Sequence, residues 1–484
     1  MNMNSRKLYA GAVGGLLAAV LLIAGNADPS RVRTQQHLEY NTEVADHNLS
    51  IDAKDFSSRL PVVDINTDGK TIPGTPPKGQ LVSKVLNSYI TAHIQIRERE
   101  GTLHTLSQEP DIDSDVQIRI RGNSSRRFDK KGYLLHFIGE DGQKKGYPVM
   151  GMEKDSTWVL NGPYLDKTLM RNYMWYNLSG QIMEWAPDVR FCEVFLNGEY
   201  QGVYLMMEQI SVGEGRVEVS KYDGKAGASS YIVCADRESV NVVDYLDNFT
   251  YYSGISKSRI EIKYPNDKKM NPKIKDYISR DFSKFERALY SYDYDSRRYG
   301  FRNDIDVDSF VDYVIINEVT QNSDAGVFST YVYKDVGGKL KTAVWDFNNC
   351  CDNYIDVQTP VDGFFIQERI WFTMLMKDEG FTDQIIDRYK ELRRGVLSDE
   401  YIKKYIEEVS IYLGPAIDRN FQVWGYTFQP EEDLLTETGR SIGSYDAAVE
   451  QYEERLLSRL AWMDQHIEGI RSYSHDSKNK KFNH

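Results

Sequence analysis

The apolar and polar positions from Asp308 to Asn353 predict a helix followed by a β-hairpin. In the first part, apolar residues recur three and four positions apart, which indicates a helix that ends near the polar turn 321–324. The stretches 328–333 and 340–347 are rich in β-branched and aromatic residues, and the glycine pair 337–338 between them is a turn signal. The hairpin therefore separates two acids, with Asp324 on the loop before it and Asp346 at the end of its second strand.

Two carboxylates on loops of one rigid hairpin can converge on a single site. The second loop adds further oxygen atoms from Asn348, Asn349 and Asp352. Oxygen-rich ligand sets suit hard divalent cations. The sequence therefore predicts a site for Mg²⁺ or Mn²⁺ formed by Asp324, Asp346 and these three neighbours.

The rest of the chain divides into a strand-rich first half and a mainly helical second half. Strands are predicted at 60–65, 89–96, 116–121 and 133–137, and Asn197-Gly198 is a strong hairpin signal between two more. Helices are predicted at 165–181, 277–290, 365–376, 382–397, 400–413 and 444–472. These elements predict an α+β fold.

The chain begins with Arg6 and Lys7 followed by an apolar run up to Gly25, which is typical of an export signal. Residues 1–27 are predicted as a signal peptide or a signal anchor: small residues offer a cleavage site, and the run is about long enough to span a bilayer. By the positive-inside rule the rest of the chain lies outside the cell, either secreted or attached to the cell membrane by a single pass. Residues 28–58 are predicted as a juxtamembrane linker and 473–484 as a disordered tail.

Composition narrows the choice of partner. The net charge of −13 argues against nucleic acid. The four cysteines, two of them adjacent, form no C-x-x-C pair, so they predict buried free thiols rather than a disulfide framework or a zinc site.

Six segments, taken in this order, resemble the CotH family of atypical, spore-coat-type protein kinases. They are LPVVDINTDG from Leu60, IRIRGNSSRRFDKKGYLLHF from Ile118, WVLNGPYLDKTLMRNYMWYNLSG from Trp158, RFCEVFLNGEYQGVYLMMEQI from Arg190, NSDAGVFSTYVYKD from Asn322 and VWDFNN from Val344. The resemblance covers roughly residues 60–424 and implies an atypical two-lobed protein-kinase-like fold. It implies a β-rich, nucleotide-binding small lobe at 59–210 and a mainly helical large lobe at 211–472.

The resemblance also implies roles for individual residues in binding ATP. The turn after Arg121, with Asn123 and Ser124, would cover the phosphates, and Lys131 would pair with them, with Lys130 as the nearest competitor. Met207 and Glu208 match the connector where kinases hold adenine. Asp324 would accept the proton of the incoming hydroxyl, and Asp346 would hold the metal that bridges the phosphates.

Three features depart from the kinase pattern or stay open. No acidic residue lies between Thr168 and Ile182 to pair with Lys131, and Asn348 stands where many relatives have Asp. Arg171 is expected either to contact phosphate or to lie on a helix surface. The basic run 257–275 is either a docking surface for an acidic substrate tail or a solvated face.

The leading hypothesis is an exported, ATP-dependent Ser/Thr protein kinase that acts on secreted, cell-surface or spore-coat proteins. A catalytically inactive surface scaffold on the same fold is the first alternative. A phosphotransferase with a non-protein acceptor is the second. A glycosidase fits worse, because two carboxylates alone would leave 121–131 and Asn197-Gly198 without a role.

Overall fold

The structure is a computed structural model that describes residues 44–256, 258–266, 268–353, 359–429 and 442–480. The predicted export signal at 1–27 lies outside these ranges. Among the helices within them, none combines the length and the apolar content needed to cross a bilayer.

Seven strands of the first half form a closed barrel in the order β1-β2-β3-β4-β7-β9-β8. They are Val62–Asn66 (β1), Ile90–Arg97 (β2), Ile112–Arg121 (β3), Gly132–Ile138 (β4), Thr157–Asn161 (β7), Val189–Leu196 (β8) and Glu199–Glu208 (β9). Tyr147–Val149 (β5) and Met152–Asp155 (β6) form a separate two-stranded sheet. Neighbouring barrel strands are antiparallel except β1 and β8, whose parallel pairing closes the barrel.

The patterns read from the sequence account for the individual barrel strands. Along β3 burial alternates, with Val116, Ile118 and Ile120 facing the barrel core, as predicted. Asn197 and Gly198 both have positive φ, 53° and 80°, which is the turn geometry that joins two strands with matching twist. The predicted β8–β9 hairpin is therefore confirmed.

A second sheet has the order β11-β10-β12-β13 and carries the central hairpin. Its strands are Tyr231–Asp236 (β10), Arg259–Tyr264 (β11), Thr330–Lys334 (β12) and Lys341–Ala343 (β13). The last strand is shorter than predicted. After Ala343 the chain leaves the ladder, and Asp346 takes a left-handed conformation with φ 59°.

The helices occupy mainly the second half of the chain. In order they are Arg171–Ile182 (α1), Phe249–Tyr252 (α2), Pro272–Leu289 (α3), Val307–Thr320 (α4), Phe372–Leu375 (α5), Glu379–Leu392 (α6), Asp399–Leu413 (α7), Pro415–Trp424 (α8) and Tyr445–His466 (α9). Helix α1 begins later than predicted because Leu169 has a positive φ of 62°. The predicted helix 365–376 is broken into a 3-10 helix at Ile366–Glu368 and the four-residue α5, and α8 was not predicted.

The α+β class is confirmed, and the two-lobed kinase-like arrangement stays a prediction. One continuous apolar cluster joins barrel residues such as Val159 and Leu205 to helix residues such as Val314 and Ile406. The barrel and the helices therefore share a core.

Both predicted flexible segments pack where they are described. Asp46 and Phe56, within the predicted linker 28–58, are buried. Asp46 forms an ion pair of 3.1 Å with the fully buried Arg419 of α8. In the predicted tail, Ser477 is buried and its N–H donates to Asp295 at 3.0 Å. Polar composition predicted a loose linker in the first place and disorder in the second, but specific polar partners far away in sequence hold the described residues of both.

Candidate functional site

The loop that carries Asp324 begins where α4 ends. Gln321 takes the left-handed conformation that commonly closes a helix, with φ 45°. The carbonyl of Asp324 then accepts the N–H groups of Val327 at 3.1 Å and Phe328 at 2.8 Å, which folds the loop into a tight turn. Gly326 is required within it, because its φ is +75° and a Cβ would lie 2.7 Å from the Cβ of Arg369.

The loop that carries Asp346 is fixed by helix α1. The N–H of Asp346 donates to the Tyr176 hydroxyl at 2.8 Å, and the N–H of Phe347 donates to Asn172 Oδ1 at 2.8 Å. Asn172 Nδ2 in turn donates to Asn348 Oδ1 at 2.9 Å. Sequence reasoning gave Asn172 no role, because it does not stand out from Asn177 and Gln181, two further amides on the same helix.

The two loops are joined directly. Asn322 Nδ2 donates to the backbone carbonyl of Asp346 at 3.0 Å. Burial raises the pKa of the Asp324 carboxyl, and the charges of Asp346 and Asp236 raise it further, whereas Arg237 opposes them. The structure therefore brings Asp324 and Asp346 together, as the hairpin predicted.

Asp236, which the sequence analysis missed, belongs to the same acidic group. It ends strand β10 beside the hairpin, and its pKa is raised by burial and, to a smaller extent, by Asp346. Its signal was an acid at the end of the buried run 231–235. Together with Asp324 and Asp346 it concentrates negative charge at one end of the second sheet.

Arg121 approaches this group from the barrel. Its guanidinium lies over the ring of Trp345, with 5.4 Å between its Cζ and the ring centroid. Its positive charge also lowers the pKa of the Tyr176 phenol, which burial and Asp346 raise. The end of β3 is thus next to the loop of Asp346.

The predicted phosphate turn forms at the end of β3. Asn123 and Ser124 are exposed, and Gly122 has a φ of 111°. Lys131 is half-buried, and its Nζ donates to the Arg126 carbonyl of the same turn at 3.1 Å. The structure therefore gives Lys131 a contact within its own turn rather than with either acid.

Lys130, the competitor, is a buried structural side chain. Its Nζ donates to Asn420 Oδ1 at 2.7 Å and lies over the rings of Tyr204 and Trp424. Burial lowers its pKa well below the usual value, with Lys167 lowering it further. It links the barrel to helix α8.

The predicted adenine contacts are enclosed. Met207 belongs to the large apolar core, and Glu208 is fully buried with its Oε2 accepting the Asp188 N–H at 3.0 Å. Neither side chain is open to a nucleotide base in this conformation.

The remaining predicted ligands differ in position. Asn348 Nδ2 donates to Asp346 Oδ1 at 2.7 Å, so it orients that carboxylate, and Asn349 lies half-buried beside it. Asp352 Oδ1 accepts the Thr359 N–H at 2.7 Å and is therefore tied to its own loop. The structure gathers Asp346, Asn348 and Asn349 but directs Asp352 to a separate contact.

Arg171 fits neither of its expected places. It is buried, pairs with Asp166 at 2.6 Å and donates through Nε to the Cys350 carbonyl at 3.2 Å. It is neither a phosphate contact nor a helix-surface residue. It holds the loop that follows Asp346.

The four cysteines are buried free thiols, as predicted.

Several residues of the basic run have local partners. Lys263 pairs with Glu261 at 2.7 Å and Lys275 with Asp244 at 3.4 Å, while Lys269 donates to the Tyr222 carbonyl. Lys275 lines a groove of about 880 Å³ beside helix α3. Lys257 lies outside the described residues, and docking on this run stays a prediction.

The acidic group fits a divalent cation by its chemistry. Asp324, Asp346 and Asp236 offer hard oxygen atoms, and their mutual repulsion is what a cation would relieve. Among the residues that the structure describes, no three Asp, Glu, His or Cys side chains form a ready metal cage.

A closed barrel joined to a helical body, with two acids on tied loops between them, defines an α+β protein with an acidic, cation-compatible site. The chain belongs to the CotH family: the family model described as CotH kinase protein matches residues 118–463. Among curated proteins, the chain is similar to the inner spore coat protein H of Bacillus subtilis (strain 168), with 24% identity over 238 residues. That alignment covers 48% of this chain and 58% of the relative.

Proposed function

We propose that this protein is an exported phosphotransferase that moves the γ-phosphate of ATP to Ser or Thr hydroxyl groups of secreted, surface or spore-coat proteins. The observation that carries the proposal is the hydrogen bond from Asn322 to the Asp346 carbonyl, because it holds the loops of the two acids together. The family description supports kinase chemistry, and the name of the Bacillus relative supports a coat or surface setting.

Each acid has a distinct part in this proposal. Asp324 accepts the proton of the acceptor hydroxyl as its oxygen bonds to the γ-phosphorus and ADP leaves. A carboxyl whose pKa is raised by burial and neighbouring acids is a better base near neutral pH than a free aspartate. Asp346, oriented by Asn348, would be the principal protein ligand of the metal.

The metal supplies neutralisation of the phosphate charge when it is bound. The side-chain amide oxygen atoms of Asn348 and Asn349 would be further metal ligands on the same loop. In this proposal Arg121, which lies over the Trp345 ring, faces the phosphates from the barrel side, and Lys131 with the turn 122–125 approaches them after leaving its Arg126 contact.

Phosphate transfer can be tested with the chain from residue 28 onward, labelled ATP, and Mg²⁺ or Mn²⁺. We expect label in the protein itself or in casein, and at least a 100-fold loss in Asp324→Asn and in Asp346→Asn. Asp111→Asn is the matched control, because Asp111 is also an aspartate paired with an arginine, Arg99 at 2.9 Å. ATP with metal should still raise the Tm of Asp324→Asn but not that of Asp346→Asn.

A catalytically inactive scaffold is the second candidate, and one observation favours it. Met207 and Glu208 are enclosed, and Lys131 is bonded within its own turn, so the predicted nucleotide contacts are not assembled. A wild-type chain that neither transfers label nor gains thermal stability from ATP and metal would establish the scaffold.

A further inference from the structure

The ion pair of Arg237 with Asp324 stands out near the proposed site. Arg237 follows β10 directly, and its Nη2 lies 3.3 Å from Asp324 Oδ1. The Asp324 side chain is 16% exposed and the Arg237 side chain 39%, so the pair lies at the boundary between the interior and solvent.

The ring of Phe328 holds the guanidinium in place. Arg237 Cζ is 3.7 Å from the centroid of that ring, which is close enough for a cation–π contact. A planar guanidinium stacked on a ring loses much of its rotational freedom. The direction of the N–H group that meets Asp324 is therefore fixed.

Phe328 is itself fixed by Asp324. The Phe328 N–H donates to the Asp324 carbonyl at 2.8 Å. The carbonyl of Val327, the residue before Phe328, accepts the hydroxyl of the buried Ser258 at 2.5 Å. The contacts form a closed circuit: the backbone of Asp324 positions Phe328, the ring positions Arg237, and Arg237 holds the carboxylate of Asp324.

We infer that Arg237 is a positioning residue that orients the Asp324 carboxylate toward the acceptor hydroxyl, with Phe328 as its platform. The inference rests on the proposed function and extends it to Arg237, which lies outside the six sequence segments that resemble the family. Without Arg237, the Asp324 carboxylate would turn away from Asp346 and Asp236, whose like charges repel it. Misplacement of a base by about 1 Å costs about 100-fold in rate.

Transfer kinetics test this role. We expect Arg237→Ala to lower kcat by roughly 10- to 100-fold with KM for ATP changed by less than about twofold, because Arg237 contacts Asp324 and not the nucleotide residues. The kcat of Arg237→Lys should fall between those of Arg237→Ala and wild type, since lysine keeps the positive charge but lacks the planar guanidinium. Phe328→Leu should lower kcat and Phe328→Tyr should preserve it, while Arg99→Ala, an exposed arginine paired with Asp111, should match wild type.

A double-mutant cycle gives a readout that needs no catalysis. With nucleotide absent, Asp324→Asn should raise the Tm by about 1–3 °C more in the Arg237→Ala background than in wild type, because only the repulsion is then removed. Additive Tm changes, or wild-type kcat in Arg237→Ala, would overturn the inference. If wild type transfers no phosphate but the cycle is non-additive, the proposed function fails and the Arg237–Asp324 coupling stands.

Discussion

Asn322 Nδ2 and the carbonyl of Asp346 are 3.0 Å apart, and this hydrogen bond joins the loops of the two acids. Asn322 is buried, precedes Asp324 by two residues and follows directly from the end of helix α4. The separation of the two acids is therefore set by the end of a helix on one side and by helix α1 on the other.

Removal of this hydrogen bond should reduce phosphate transfer more than it reduces the stability of the fold. We expect Asn322→Ala to lower phosphate transfer by at least 10-fold, with a loss of about 1–2 kcal/mol in the free energy of unfolding. Transfer assays and urea unfolding measure the two effects. Unchanged transfer in a variant with this loss of stability would show that the link does not position the acids.

The two neighbouring lysines should separate binding from stability. Lys131→Ala should keep the wild-type Tm and weaken ATP binding about 10-fold, because Lys131 is half-buried on the turn. Lys130→Ala should cost about 1–3 kcal/mol of stability, because it leaves the buried Asn420 side chain without this donor. Titration calorimetry and thermal unfolding distinguish them. The opposite pattern would move the nucleotide role to Lys130.

The segment before the barrel should contribute to stability. Arg419 is fully buried between Asp46 at 3.1 Å and Glu193 at 2.7 Å. A chain that begins at Arg59 should therefore melt roughly 3–6 °C below one that begins at Val44, since it loses Asp46 and the buried Phe56. Equal Tm values for the two chains would show that residues 44–58 contribute no stability, as expected of the loose linker that composition predicted.

Glu98 should make stability depend on pH. Burial raises the pKa of its carboxyl to about 7, although its Oε2 accepts the Met150 N–H at 2.7 Å. A raised folded-state pKa contributes stability that is complete below the unfolded value near 4.5 and is lost as the pH rises through 7. Glu98→Gln should match wild type at pH 4 and be more stable by about 1–3 kcal/mol at pH 8. Urea unfolding at both pH values checks this, and parallel curves would refute it.

Local patterns predicted the elements that depend on local physics. The β8–β9 turn follows from Asn197-Gly198, the burial of β3 from period-two alternation, and helix α4 from apolar spacing. The convergence of Asp324 and Asp346 also followed, because one hairpin links them in sequence.

The contacts that escaped prediction join residues far apart in the chain. Asp236 reaches the acidic group through strand pairing, and Arg171 serves the loop of Cys350 from helix α1. Asp46 meets Arg419, which follows it by 373 residues. Such pairs leave no periodic signal, because each partner looks like an ordinary polar residue in its own neighbourhood.

The parallel pairing of β1 with β8 affects how the chain can be synthesised. Val62 pairs with Glu193 of β8, and β8 is joined to β7 only through β9, so the barrel cannot close until β9 has left the ribosome. Until then one edge of β1 has no strand beside it, and unpaired strand edges invite association with other chains. We therefore expect the nascent protein to depend on chaperones that hold unfolded chains, up to the point at which Glu208, the last residue of β9, emerges.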